Sequence, residues 1–60
     1  MWTVVYMAHN KADVQKIKQV LVEEGFLVKI RPIGKAEDRV YEILVPNGEA
    51  EEANEVLGNL

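Results

Sequence analysis

Hydrophobic residues alternate with polar turns along the chain in a pattern that predicts five short elements. The most apolar run of the second half is Val40–Pro46, which lies between a charged segment (residues 37–39) and a Pro-Asn-Gly turn signal. Short runs rich in β-branched and aromatic residues between turn signals are typical of strands. We predict that this run is the central strand of a small sheet.

The first apolar run, Trp2–Ala8, is also rich in β-branched and aromatic residues and predicts the first strand. Both of its alternating sets are largely apolar, which is typical of a strand covered on both faces. The alternation therefore does not indicate which set faces the helices.

A helix is predicted from the Asn10 cap to about Glu24, with Asp13 in its first turn and Gly25 at the position that ends it. Val22 lies off its apolar stripe and is expected to be exposed. The stripe at helical spacing consists of Val14, Ile17, Val20 and Leu21.

Residues 26–33 alternate as a second strand, with Pro32 near its end, and a polar loop (residues 34–39) leads into the central strand. A second helix is predicted from Glu49, with acidic residues in its first turns, where the helix dipole favours them. The apolar stripe of this helix is expected to comprise Ala50, Ala53, Val56, Leu57 and Leu60.

The element order β-α-β-β-α and a right-handed crossover make the first two strands parallel. Lys29, Arg31 and Pro32 are features of an edge strand, so the third strand is placed in the middle, in the order 1-3-2. The predicted fold is a single α+β domain over residues 1–60, ferredoxin-like, with a three-stranded mixed sheet and both helices on one face.

Alternation predicts which side chains share a face of this sheet. Leu21 and Ile43 are expected to meet in the core between helices and sheet, and Arg31 is expected to lie opposite Glu42 on the other face. Tyr41, Ile43 and Val45 would face the helices, whereas Val40, Glu42 and Leu44 would share the other face with Leu27, Lys29 and Arg31.

The composition limits the function classes. The 60 residues carry a net charge of −3, no cysteine and a single histidine. An acidic chain disfavours a nucleic-acid partner, and no apolar run approaches the about 20 residues of a membrane span. The chain opens without a signal-peptide pattern, so a cytoplasmic protein is expected.

Three segments carry a family resemblance: residues 5–10 entering the first helix, residues 21–26, and Val45-Pro46 followed by residues 50–53 and 56–57. In these segments the chain resembles a family of short bacterial domains of unknown function described as prokaryotic signal-transducing proteins. Similar chains also carry a glutamate decarboxylase label. The family often has proline after the asparagine, where this chain has Lys11. The resemblance implies a βαββα domain and a role in regulation or signalling, and it transfers no site residue.

Candidate chemistry is sparse. His9, Asn10 and Lys11 precede or open the first helix, where free N–H groups can bind an anion, but a glycine-rich phosphate loop is missing. Pyridoxal-phosphate catalysis needs a lysine, a phosphate cradle and a deep pocket, which 60 residues cannot enclose. We therefore expect no catalytic, cofactor-binding or metal-binding residue, and no enzyme.

Two function classes remain open. One is a regulatory or signal-transducing interaction module, and the other is an accessory subunit or domain of a larger enzyme. The first strand has no charge, proline or glycine between Trp2 and Ala8, and no fourth strand is predicted to pair beside it. A homodimer through this strand is therefore expected, and the alternative is a monomer in which Gly58 to Leu60 fold back over the edge. A protein partner could also bind the open face of the sheet. The candidate interface residues are Trp2, Val4, Tyr6, Leu27, Val40 and Leu44.

Overall fold

The computed structural model describes all residues, 1–60, and has the predicted element order. The second strand begins at Lys29 and not at Phe26, and the second helix begins one residue after Glu49. Single turns of 3-10 helix occupy Ala36–Asp38 in the loop and Asn47–Glu49 before the second helix. The elements are β1 (Trp2–Ala8), α1 (Lys11–Glu23), β2 (Lys29–Ile33), β3 (Val40–Pro46) and α2 (Ala50–Gly58).

The three strands form one sheet in the order β1-β3-β2, which confirms the predicted order. Both ladders are antiparallel. The sheet is therefore antiparallel and not mixed as predicted, because β1 and β2 run in the same direction but are separated by β3. The α+β fold class and the βαββα arrangement are confirmed.

Both ends of α1 are capped as the sequence predicts. The Asn10 side-chain oxygen accepts a hydrogen bond from the Asp13 backbone N–H at 2.8 Å, which satisfies one of the free donors of the first turn. At the other end Gly25 has a φ of +91°, a conformation that costs glycine little because it has no Cβ. These two residues set the length of α1.

Phe26 closes α1 and does not belong to β2. Its backbone N–H donates to the Leu21 carbonyl at 3.0 Å, and the Gly25 N–H donates to the Val22 carbonyl at 3.0 Å. Together these bonds form a Schellman motif, which commonly brings a hydrophobic contact between the two residues that the longer bond joins. Phe26 and Leu21 are both buried in the core.

The core lies between the helices and one face of the sheet. Leu21, Ile43 and Val45 are fully buried, which confirms that Leu21 and Ile43 meet there. The remaining members of the buried cluster are Ala8, Val14, Ile17, Phe26 and Ala53. Because these side chains come from β1, both helices, β3 and the α1–β2 connection, one cluster joins every layer of the domain.

The exposed positions of the helices agree with the predicted stripes except at one residue. Val22 is 52% exposed, as expected from its place off the stripe of α1. Leu60 was expected on the stripe of α2, but α2 ends at Gly58 and Leu60 is 64% exposed. The stripe of α2 is therefore shorter than the sequence pattern suggests.

A β-bulge interrupts the pairing of β1 with β3. Val4 lies opposite Leu44 and Tyr6 lies opposite Ile43, so Val5 is an extra residue without a partner of its own. The bulge shifts the alternation by one residue. Thr3 and Val5 belong to one alternating set and are partly buried, whereas the buried residue after the bulge is Ala8, which belongs to the other set.

Successive residues of β3 direct their backbone N–H and C=O groups alternately toward β1 and toward β2. The Asn47 N–H donates to the Met1 carbonyl at 2.9 Å, so Asn47 directs its backbone groups toward the β1 side. In an antiparallel ladder this direction alternates with each residue. The residues of β3 that bond to β1 are therefore Tyr41, Ile43 and Val45, and those that bond to β2 are Val40, Glu42 and Leu44.

This alternation explains where the two prolines are tolerated. Pro32 lies opposite Tyr41, whose backbone groups point to β1, so the missing N–H of Pro32 would have pointed to the outer side of β2. The backbone nitrogen of Pro46 points toward the β2 side. Because β2 starts at Lys29, opposite Leu44, it has no residue opposite Pro46 that could accept a hydrogen bond. Neither proline breaks a ladder bond.

Candidate functional site

The two edges of the sheet differ in chemistry. The β1 edge, meaning the side of β1 away from β3, belongs to a strand without charge, and no other strand of the chain pairs there. The β2 edge carries Lys29, Arg31 and Pro32, which discourage pairing with another strand. The large apolar side chains exposed on β1 are Trp2 (43%), Val4 (37%), Tyr6 (38%) and Met7 (43%).

The open face of the sheet, meaning the face away from the helices, has an apolar centre that its own neighbours cover. Leu44 lies opposite Val4 in one ladder and Lys29 in the other, and it is only 4% exposed. The Lys29 ammonium lies 5.6 Å from the centroid of the Trp2 ring, within cation–π range. Because Lys29 and Trp2 are on opposite edge strands, this contact bridges β3 and shields Leu44.

Arg31 and Glu42 form the one ion pair of the structure, at the predicted opposite positions of β2 and β3. The Arg31 Nε donates to the Glu42 carboxylate at 2.7 Å. The Arg31 side chain is 56% exposed and that of Glu42 is 18% exposed, so solvent screens much of the attraction.

We predict a small coupling energy for this pair. A double-mutant cycle with Arg31→Ala and Glu42→Ala should give roughly 0.2–1 kcal/mol, measured by urea unfolding at low salt. The control cycle pairs Lys29→Ala with Glu42→Ala, because Lys29 lies opposite Leu44 and makes no ion pair with Glu42. Equal coupling energies in the two cycles would contradict the prediction.

The structure brings together only part of the candidate interface. Trp2, Val4 and Leu44 lie close together in the sheet. Tyr6 lies opposite Ile43, on the face of the sheet that packs against the helices. Val40 is at the other end of β3, and Leu27 precedes β2 and is 65% exposed. That a protein partner docks on the open face stays a prediction.

Sequence reasoning did not single out Met7, which is an exposed apolar residue of the open face. Strict alternation places Met7 with Thr3 and Val5, but the bulge moves it to the open face, opposite Glu42. Nothing in the sequence marks this shift, because both alternating sets of β1 are apolar and the pattern does not indicate which set faces the helices.

The candidate anion site at the start of α1 already contains a carboxylate. The Asn10 Nδ2 donates to the Asp13 carboxylate at 3.2 Å, and the Asp13 backbone N–H donates to the Asn10 side-chain oxygen, so this N–H is not free for an anion. His9 and Lys11 are exposed beside this cap. Anion binding by His9, Asn10 and Lys11 stays a prediction, and it would have to compete with Asp13.

The acidic surface of α2 is solvent-exposed over most of its length. A shallow depression of about 260 Å³ there is lined by Glu52, Glu55, Val56 and Asn59. The side chains of the chain form no group of three or more His, Cys, Asp or Glu placed to hold a metal ion. Neither helix has the length and apolar character that crossing a bilayer requires.

The fold and its surfaces define a class of protein: a small α+β domain with a three-stranded antiparallel sheet, one open face and one uncharged edge. No protein-family model, curated protein or solved structure matches the chain.

Proposed function

We propose that this chain is a non-catalytic regulatory or signal-transducing module of the cytoplasm that works by protein–protein interaction, as a homodimer joined through β1. The difference between the two edges of the sheet supports the proposal. The β2 edge carries two cations and a proline, whereas β1 combines an uncharged edge with four exposed apolar side chains.

Physical chemistry favours a covered β1 edge. Unpaired N–H and C=O groups on an apolar strand template the addition of another strand, and natural proteins usually cover or charge such edges. A second copy related by a two-fold axis presents the same surface and closes the assembly. A 60-residue domain also has a small core, to which a dimer interface would add burial.

The dimer is tested by a charge placed on the edge. Val4→Lys introduces an ammonium group on the open face beside the partner strand, and we expect the variant to be monomeric at concentrations at which the wild type is dimeric. Size-exclusion chromatography with light scattering gives the mass. The matched control is Val22→Lys, which makes the same change at an exposed position of α1 and should remain dimeric.

Circular dichroism melts of both variants would show whether the domain still folds. The proposal is wrong if the folded wild type is monomeric at high micromolar concentration. It also fails if Val4→Lys and Val22→Lys have the same mass as a dimeric wild type. A monomer that purifies from its native host with a larger enzyme would favour the accessory-domain alternative.

A further inference from the structure

We infer that two copies of the chain pair antiparallel about a two-fold axis at the β-bulge, so that Val4 lies opposite Met7 of the partner subunit. The inference rests on the proposed homodimer and names its register. It follows from the spacing of the backbone groups that β1 leaves unpaired.

The outward-facing backbone groups of β1 are unevenly spaced. Thr3, Tyr6 and Ala8 lie opposite the β3 residues whose backbone groups point to β1. Val4 and Met7 lie opposite Leu44 and Glu42, whose backbone groups point to β2, so they direct their own N–H and C=O groups to the β1 edge. Trp2 does the same, so the spacing is two residues from Trp2 to Val4 but three from Val4 to Met7.

This spacing selects the occupant of the edge. A regular strand presents its hydrogen-bonding groups every second residue, so it can match β1 on only one side of the bulge. A second copy in antiparallel orientation has the same three-residue interval. With the two-fold axis between Val5 and Tyr6, Val4 meets the partner's Met7 and Met7 meets the partner's Val4, and both intervals match.

The faces of the side chains agree with this register. Val4 and Met7 lie opposite Leu44 and Glu42, which share the open face, so their side chains would pack together across the axis. On the helix side, Val5 would lie opposite the partner's Tyr6. The register thereby joins apolar side chains that are exposed in the single chain, including Val4, Tyr6 and Met7.

Another symmetric register places the axis at Thr3. It pairs Trp2 with the partner's Val4 and uses only the regular part of β1 before the bulge. The outward groups of Met7 would then stay unpaired, and Tyr6 and Met7 would stay exposed. The axis at the bulge engages more of the edge, and the two registers predict different contacts.

The first test uses wild-type protein. A sample mixed from isotope-labelled and unlabelled chains gives NMR contacts between subunits only. We expect contacts between the Val4 methyl groups and the Met7 methyl group, and between Val5 and Tyr6. Contacts between Thr3 and the partner's Thr3, or between Trp2 and the partner's Val4, would overturn the register.

Disulfide trapping gives a second measurement, because the chain has no cysteine of its own. Directly opposed, hydrogen-bonded residues have Cα atoms about 5.5 Å apart, which a disulfide can span. We expect mixed Val4→Cys and Met7→Cys chains to cross-link with each other on oxidation. Val4→Cys alone should cross-link poorly, because three residues separate the two positions by roughly 10 Å along the strands.

Thr3→Cys separates the two registers. It should not cross-link with itself if the axis lies at the bulge, and it should do so readily if the axis lies at Thr3. A dimer that cross-links through Thr3→Cys overturns the register but keeps the homodimer. A wild type that is monomeric in light scattering overturns both.

Discussion

Replacing Leu21 with alanine is expected to lower the free energy of unfolding by about 2–5 kcal/mol. Leu21 is fully buried between α1 and the sheet, where it joins Ile43 and Val45 in the core. The substitution removes apolar contacts and leaves a cavity that the packed strands can fill only in part. Domains of this size are stable by roughly 3–9 kcal/mol, so much of the stability would be lost.

The neighbouring residue supplies the control for this prediction. Val22→Ala also truncates an aliphatic side chain of α1, but Val22 is 52% exposed, and the change should be within about 0.5 kcal/mol. Urea unfolding followed by circular dichroism measures both variants. A loss below about 1 kcal/mol for Leu21→Ala, the level of surface changes, would contradict the placement of Leu21 in the core.

Phe26→Ala is expected to cost about 3–5 kcal/mol, because a large buried ring is removed. Phe26 is 7% exposed and packs in the same cluster as Leu21, at the point where the chain leaves α1 for β2. Its backbone bond to the Leu21 carbonyl does not depend on the side chain. The loss should therefore reflect packing and not the end of the helix.

Leu27→Ala is the matched control, since Leu27 follows directly in the chain and is 65% exposed. We expect its free energy of unfolding to stay within about 0.5 kcal/mol of the wild type in the same urea experiment. Similar losses in Phe26→Ala and Leu27→Ala would show that the ring of Phe26 does not anchor this connection.

Local signals in the sequence were sufficient to predict the order and type of the elements. Asn10 and Gly25 mark the ends of α1 by capping chemistry that depends on neighbouring residues only. The charges and proline of β2 identified it as an edge strand and so placed β3 in the centre. These features are local, which is why the strand order 1-3-2 could be predicted without the structure.

The predicted start of β2 at Phe26 was wrong because a strand and the segment that closes α1 show the same alternation of apolar residues here. Phe26 continues the alternation of Val28 and Ile30, as a strand would, and all three contribute to the core. Backbone bonding decides the matter, because Phe26 donates to α1 and β2 pairs with β3 only from Lys29. Hydrophobic alternation reports the buried side and not the hydrogen-bond partner.

The bulge at Val5 could not be predicted, and it changes the candidate site most. A bulge is visible in sequence when it moves a polar residue out of phase, but every residue from Val4 to Ala8 is apolar or amphipathic. The cover over Leu44 was also missed, since it depends on a Lys29–Trp2 contact across two strand spacings. The predicted strand order placed β1 at an edge of the sheet, and only the structure defines the spacing of its outward-facing backbone groups.

Hydrogen exchange at the β1 edge tests the central claim most directly. NMR would follow the outward-facing amides of Val4 and Met7 over a range of protein concentrations. The amide of Ile30 is the internal control, because Ile30 lies opposite Ile43 and faces the outer side of β2. We predict that the protection of Val4 and Met7 rises with concentration while Ile30 continues to exchange rapidly. Exchange of Val4 and Met7 as fast as that of Ile30 at every concentration would contradict pairing through β1.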